Sequence, residues 1–400
     1  MSLSTQLGFM RNLRYVPVST GRGLLEQPSL PSGSEHSNMF GRHFQVRKTF
    51  TDDYYHGIVR LSRFAVPELQ RLMELMRQRA TASDRDRICF LDTETTGIQG
   101  GTGMCPFMVG VGHFSGDDFQ MIQFFMRDFD EEPSMLCALG ELLGGFDLVI
   151  TYNGATFDVP LLETRFTLAR LDNPFERMGH FDLLNTARRL WRNGHGSCRL
   201  TALEKLIMFM RGPDVPGAAI PRVYFDFVQH RDVPELPSVF THNVYDVVTL
   251  AALTIHATDC VTNEPATFDS ALDQYSLARV VENSADWRRA ADLYERALQG
   301  GLPDPHRTKA LENLSVIYRR AGEHTRAFEI CAALMQGEAF SMAGYEGAAV
   351  YHERFGGDVE SALRVVEEGL HRLDDSAAHK RSRSLLHTRW QRLQQKVIGF

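Results

Sequence analysis

The residues most able to do chemistry are Asp92, Glu94, Asp158, His242 and Asp246. Asp92 and Glu94 stand in "ICFLDTETTG", residues 88–97, where an apolar run from Ile88 to Leu91 leads straight into acid. Side chains two apart on a strand point to one face. Two carboxylates side by side repel unless a cation lies between them or one takes up a proton. Hard divalent cations favour such oxygen donors. The bland account of this pair is that Asp92 ends the strand and Glu94 is solvated. Asp158 follows "YNGATF" and opens the helical run "DVPLLETRFTLARL"; a carboxylate is also favoured there simply by the helix N-terminus. His242 and Asp246, in "VFTHNVYDVVTLAAL", are four apart on one face of an apolar helix. Asp246 shares its side with Val239, Leu250 and Leu253, where a charge is costly unless paired or ligated. His242 taken alone reads equally as a core or cap histidine.

Positioning these residues takes a sheet, and the pattern contains one. Strand-like runs from Ile88 to Glu94, Phe107 to Phe114 and Phe119 to Met126 are separated by the Gly-rich "GIQGGTG" and the "SGDD" turn. A helix is expected from Pro133 to Leu143 and a short strand from Asp147 to Tyr152. Further helices are expected from Asp158, from Thr201 to Met210 and from Val239 to Thr258. Sequential strands followed by alternating helices and strands predict an α/β sheet that is antiparallel on one side. "GIQGGTG" lacks the G-K-[ST] ending of a phosphate loop and reads as a strand connection. Asp182 reads as a helix start, His180 as structural, and Thr96 as a weak candidate for contact with a substrate terminus. Arg165, Arg170, Arg177, Arg188, Arg189, Arg192 and Arg199 make one stretch basic. They read as a solvated face, with phosphate contacts as the functional alternative.

Upstream, residues 1–42 read as a flexible Ser-, Gly- and Pro-rich arm, and residues 43–82 as a small hairpin plus a helix over Pro67 to Arg79. The expected sheet domain spans 83–262. From 268 to 400 strand signals nearly vanish. "WRRAADLYERALQGG", "HTRAFEICAALMQG" and "DVESALRVVEEGL" each follow another helix, and Ala290, Ala327 and Ala362 recur in register. Paired helices with small residues at fixed packing positions resemble tetratricopeptide repeats, with Ser384 to Val397 as a polar capping helix.

Composition frames these readings. At 400 residues with 43% hydrophobic and 23% charged side chains, the chain is ordinary for a globular protein of more than one domain. The net charge of -7 supplies no global attraction for nucleic acid, which leaves local basic grooves as the means. The six cysteines form no CxxC pair and read as reduced thiols of a cytoplasmic protein. No signal peptide or membrane span is expected.

Together, residues 87–258 resemble the DnaQ-like (DEDD) 3′–5′ exonuclease superfamily, whose fold is ribonuclease H-like. "DTETTG" resembles its first motif, "YNGATFD" its second and "HNVYD" its third. "HFDLLNTARRLW", "LTALEK", "IPRVYFDFV" and "HNVYDVVTL" look like its YprB-like branch, whose members carry repeat-containing tails. The resemblance implies an α/β mixed sheet with flanking helices, followed by an all-α repeat region. It implies that Asp92, Glu94, Asp158 and Asp246 hold two Mg²⁺ or Mn²⁺ ions and that His242 takes the proton of the attacking water. The implied substrate is single-stranded DNA or RNA, and the repeats imply a protein partner. The spacing H-x3-D departs from the H-x4-D of the histidine subclass and places a histidine where the tyrosine subclass has its Y-x3-D base. Tyr245 falls on another helix face and reads as packing. Two other classes remain: a nuclease-like scaffold that recruits a partner through its repeats, and a phosphodiesterase of small nucleotides.

Overall fold

The computed structural model describes residues 30–78, 84–97, 103–262, 270–284, 286–373 and 379–398. Strands β1 (Ser34–Asn38) and β2 (Gly41–Phe50) form a hairpin. The short strands β3 (Tyr55–His56) and β4 (Val59–Arg60) and helix α1 (Val66–Leu75) follow. Then come β5 (Ile88–Thr95), β6 (Pro106–Ser115), β7 (Asp118–Phe125), α2 (Glu132–Leu143), β8 (Leu148–Thr151), α3 (Asp158–Ala169) and β9 (Gly179–Asp182). Helices α4 (Leu183–His195), α5 (Leu200–Leu203), α6 (Ile220–His230) and α7 (Leu236–Thr262) complete the sheet region.

One mixed sheet runs in the order β1-β2-β7-β6-β5-β8-β9. β5 lies at the junction: it pairs antiparallel with β6 and parallel with β8. The ladder to β8 covers only Ile88, Cys89 and Phe90. Among the described residues β5 has no strand on that side beyond Phe90, so Asp92, Thr93 and Glu94 border an opening. Ligand sites in open sheets favour such places, where the strand order reverses. The apolar half of β5 is needed for burial: Ile88, Cys89 and Phe90 are wholly inaccessible and pack between sheet and helices. α7 is 27 residues long and apolar enough by composition to cross a membrane, but most of it is buried inside the fold. Its Val247, Leu250, Ala251 and Leu253 are core residues, packed on the face of β5 and β6 that also carries Asp92.

Three expectations need correction. Of the expected arm, residues 1–29 lie outside the described residues, but Ser34–Asn38 is an edge strand. Its sequence SEHSN carries no apolar alternation, and backbone pairing with β2 holds it instead. The small hairpin expected within residues 43–64 is reduced to the short pair β3–β4, and the segment before it is β2, bonded to β7 from Phe44↔Phe125 to Phe50↔Phe119. The ladder thus ties residues before 82 to the sheet. The helix expected from Thr201 to Met210 shrinks to α5 and a 3-10 turn, Glu204–Ile207. Met208 has a left-handed backbone (φ 52°), and the Ile207 carbonyl accepts from the Ile58 amide at 2.8 Å instead of continuing a helix.

The tail is all-helical among the described residues: α8 (Ala271–Glu282), α9 (Trp287–Gln299), α10 (His306–Arg320), α11 (His324–Met335), α12 (Met342–Arg354), α13 (Val359–Arg372) and α14 (Lys380–Ile398). Successive helices pack on one another as a repeat-like array. Ala290, Ala327 and Ala362 are buried on α9, α11 and α13, where small side chains let helices approach. The array packs against the sheet region rather than standing apart from it. α8 packs on α4, and one apolar cluster runs from Phe90 and Trp191 through Tyr275 and Leu277 to Tyr294 and Ala327. A second cluster, around Tyr345, Val366 and Leu386, holds the far end.

Candidate active site

Asp92 is brought to its place by β5 and oriented by α7. The Asn243 amide, fully buried, donates to Asp92 Oδ2 at 2.9 Å, and its oxygen accepts from Gln123 Nε2 at 2.9 Å. This close approach of helix and sheet needs Gly110, which stands opposite Asp92 in the ladder. A Cβ at Gly110 would lie 2.2 Å from Asn243 Oδ1.

Asp158 comes in from the open edge of β5. With no strand there, the Thr93 amide donates to Asp158 Oδ1 at 3.1 Å, and the Thr93 hydroxyl donates to the same oxygen at 2.5 Å. The turn before α3 is braced by Asp182. Its carboxylate accepts from the amides of Asn153 (2.8 Å) and Ala155 (3.1 Å), and it caps α4 through Leu184 N at 3.0 Å. Asn153 is left-handed at φ 67°. Asp182 therefore does start a helix, as its sequence context suggests, and it also fixes the loop that delivers Asp158. His180 bonds to the Thr151 hydroxyl at 2.7 Å, a structural role. Thr96 Oγ1 accepts from the Cys105 amide at 3.0 Å and so is engaged in its own loop. "GIQGGTG" connects β5 to β6, and its residues 98–102 lie outside the described residues.

On the other flank, α7 carries His242 and Asp246. Glu94, His242 and Asp246 offer ligand atoms within 4.8 Å of one another. His242 Nε2 lies 3.5 Å from Asp246 Oδ2, and its Nδ1 lies 2.9 Å from both oxygens of Asp214. Arg211 bridges Glu204 (2.6 Å), Asp214 (3.0 Å) and Asp246. Periodicity gives no sign of Asp214, Arg211 or Asn243. Arg211 and Asp214 sit in the irregular "RGPDVPG", and Asn243 hides in an apolar helix. Tyr245 faces Phe209 and the Arg211 guanidinium, as a packing residue would.

The electrostatics are those of acids crowded out of water. Burial pushes Asp92 well above the usual carboxylate range, and Asp246, Glu94 and Asp158 push it further. Glu94 is raised by burial, then by Asp246, Asp158 and Asp214, with Arg211 opposing. Asp158 is raised by burial to about 6 despite the hydrogen bonds from Thr93. Burial works against the charge on Arg211, but the Asp246 and Glu204 carboxylates outweigh it and hold the guanidinium protonated. A cavity of about 300 Å³ opens over Asp92, Glu94 and Asp158, with Met104, Tyr152 and the exposed Phe157 on its walls. His242 and Asp246 are not on its lining; Glu94 joins the two flanks. The donor set, carboxylates with one imidazole, suits a hard divalent cation, and the repulsion among the acids, which Arg211 offsets only in part, gives the cluster reason to take one.

Comparison with known proteins bears on the sheet region as a whole. Residues 89–258 match the RNase_H superfamily. The chain is 28% identical over 354 residues to the uncharacterized protein YprB of Bacillus subtilis (strain 168), covering 85% of this chain and 83% of that one. The sheet region is thus a ribonuclease H-like domain of a nuclease superfamily, with mixed sheet and flanking helices as expected.

Proposed function

From a ribonuclease H superfamily domain over residues 89–258, we propose that this protein is a metal-dependent 3′–5′ exonuclease that hydrolyses phosphodiester bonds of single-stranded DNA or RNA. The observation that carries the reading is the convergence of Asp92, Glu94, Asp158 and Asp246, with His242 beside them, at the open end of β5. Asp92, Glu94, Asp158 and Asp246 would hold two Mg²⁺ or Mn²⁺ ions. When bound, such ions activate water and stabilise the leaving oxygen of a phosphodiester. Asn243 and Thr93 orient the first two carboxylates, and His242 Nε2 is placed to take a proton. Phe157 and Met104 offer an apolar wall on which a terminal base can stack. Of the arginines named as phosphate contacts, Arg165 is committed to Glu132. The unpaired thiols fit a cytoplasmic protein.

One observation favours a second reading, a nuclease-like scaffold whose tetratricopeptide-like tail binds a protein partner. Arg211 already neutralises Asp246, as a cation would. End-labelled DNA and RNA oligonucleotides with Mn²⁺ decide between them. A ladder shortening from the 3′ end, lost in Asp92→Asn, is expected. Absence of hydrolysis on either nucleic acid favours the scaffold. Cleavage confined to mononucleotide esters points to a small-nucleotide phosphodiesterase.

A further inference from the structure

We propose that Asp214 is a positioning residue: its carboxylate fixes the His242 imidazole through Nδ1, so that Nε2 is presented to Glu94 and Asp246. The proposal rests on the exonuclease reading for its consequence and on geometry for its content. Both Asp214 oxygens lie 2.9 Å from Nδ1. A carboxylate only accepts, so the proton belongs on Nδ1. With Nδ1 held in this way, Nε2 is turned toward the cluster, 3.5 Å from Asp246 Oδ2.

Asp214 does not depend on His242 for its own hydrogen bonds. The Val215 amide donates to Oδ1 at 2.8 Å and Arg211 Nη1 donates to Oδ2 at 3.0 Å. Arg211 is anchored on Glu204 at 2.6 Å, and Glu204 accepts from the Thr249 hydroxyl at 3.2 Å. Thr249 is on α7, so the chain of bonds begins and ends on the helix that carries His242 and Asp246. It spans the irregular loop between α5 and α6 and converts it into a rigid support. The side chains involved are recessed: His242 is 12% exposed, Arg211 9% and Asp214 18%. A histidine that merely packed the helix would not need an anchored acid aimed at the ring nitrogen facing away from the cluster. A partner that fixes the tautomer and tilt of a working imidazole is how such rings are commonly controlled.

The full-length protein tests this. In metal-free protein with ¹⁵N-labelled histidine, the His242 signals are assigned by their absence in His242→Ala. Wild type is expected to show Nδ1 protonated and hydrogen-bonded. Asp214→Ala should lose that preference and lower kcat on an oligonucleotide about 100-fold or more. KM and the Mn²⁺ concentration giving half-maximal thermal stabilisation should stay within about threefold. Asp214→Glu should restore part of the rate. In a His242→Ala background, Asp214→Ala should cost little more, since the two act as one unit. Asp214→Ser replaces the alanine variant if that one fails to fold. A wild-type ring unprotonated at Nδ1, a wild-type kcat in Asp214→Ala, or fully additive losses in the double variant would each overturn the proposal. A wild type that cleaves no oligonucleotide sinks the exonuclease reading alone, because the tautomer is read without activity.

Discussion

Asp158 shows what it costs to keep an acid without water. Burial lifts it to about 6 against an ordinary 3.8, so the folded chain holds this proton more tightly than the unfolded chain does. Its contribution to stability is complete below about 3.8 and is lost as pH rises through about 6, on the order of 3 kcal/mol in all. Asp92 and Glu94 are shifted the same way and extend the loss to higher pH. In EDTA the melting temperature should therefore fall between pH 4 and pH 7, and Asp158→Asn should flatten the slope. Mn²⁺ at pH 7 should recover much of the difference. Scanning calorimetry that showed stability rising across this window would mean the acids are already compensated. For the same reason Asp92→Asn should abolish hydrolysis while raising the metal-free melting temperature. His242→Ala should lower turnover by about 10²–10⁴-fold with melting unchanged; loss of stability at normal rate would make it a packing residue. Asp92, Glu94, Asp158, His242 and Asp246 could be picked out as candidates because each is an ionisable residue beside an apolar run, and only the resemblance to a family joined them into one set. Asp214 and Arg211 were not, since a loop has no period against which a charge can look misplaced.

Elements aim these side chains, and the closeness of α7 to the sheet is the feature with least tolerance. At Gly110 a methyl group would meet Asn243 Oδ1 at 2.2 Å, so the buried Asn243 side chain must shift. Gly110→Ala should cost about 1–3 kcal/mol by overpacking and displace Asn243 from Asp92. Turnover should drop more than stability alone explains, checked by urea denaturation beside a rate assay. Equal rates in the folded variant would show that Asn243 is not needed to orient Asp92. Asp182 makes the same point for the loop before α3, where one carboxylate serves three backbone amides. Sequence pattern placed β5 to β8 and most helices within a few residues, because alternation and helical period reflect burial on a defined face. It missed β9, four residues of "GHFD", and β1, because edge strands so short or polar are stabilised by partners elsewhere in the chain.

At the scale of the whole molecule, the tail is joined to the sheet region by packing that a linker-based reading of the chain overlooks. Gly194 on α4 lets α8 come so close that a Cβ there would lie 2.3 Å from Asp273 Oδ1. Asn193 donates to Ser276 at 3.0 Å and His195 meets Asp273 at 3.0 Å across the same contact. Trp191, fully buried, belongs to the cluster that includes Tyr275, Leu277 and Val281. A chain truncated after residue 266 would leave this face of α4 bare, an apolar patch of the kind that drives aggregation. A cut after residue 338 falls between α11 and α12, beyond the large cluster and before the one around Tyr345 and Val366. The two cuts should therefore behave differently. The chain ending at 338 should stay soluble, bind Mn²⁺ and retain most oligonucleotide hydrolysis, while melting somewhat below the full chain. The chain ending at 266 should aggregate or melt far lower, although every acid of the site is present in it. Comparing both by light scattering and thermal denaturation decides the matter. A soluble 266-residue chain that melts like wild type would show that the α4–α8 contact contributes little and that the sheet region folds alone. The order of stability, 266 well below 338 and 338 close to 400, is what a core shared across the junction requires.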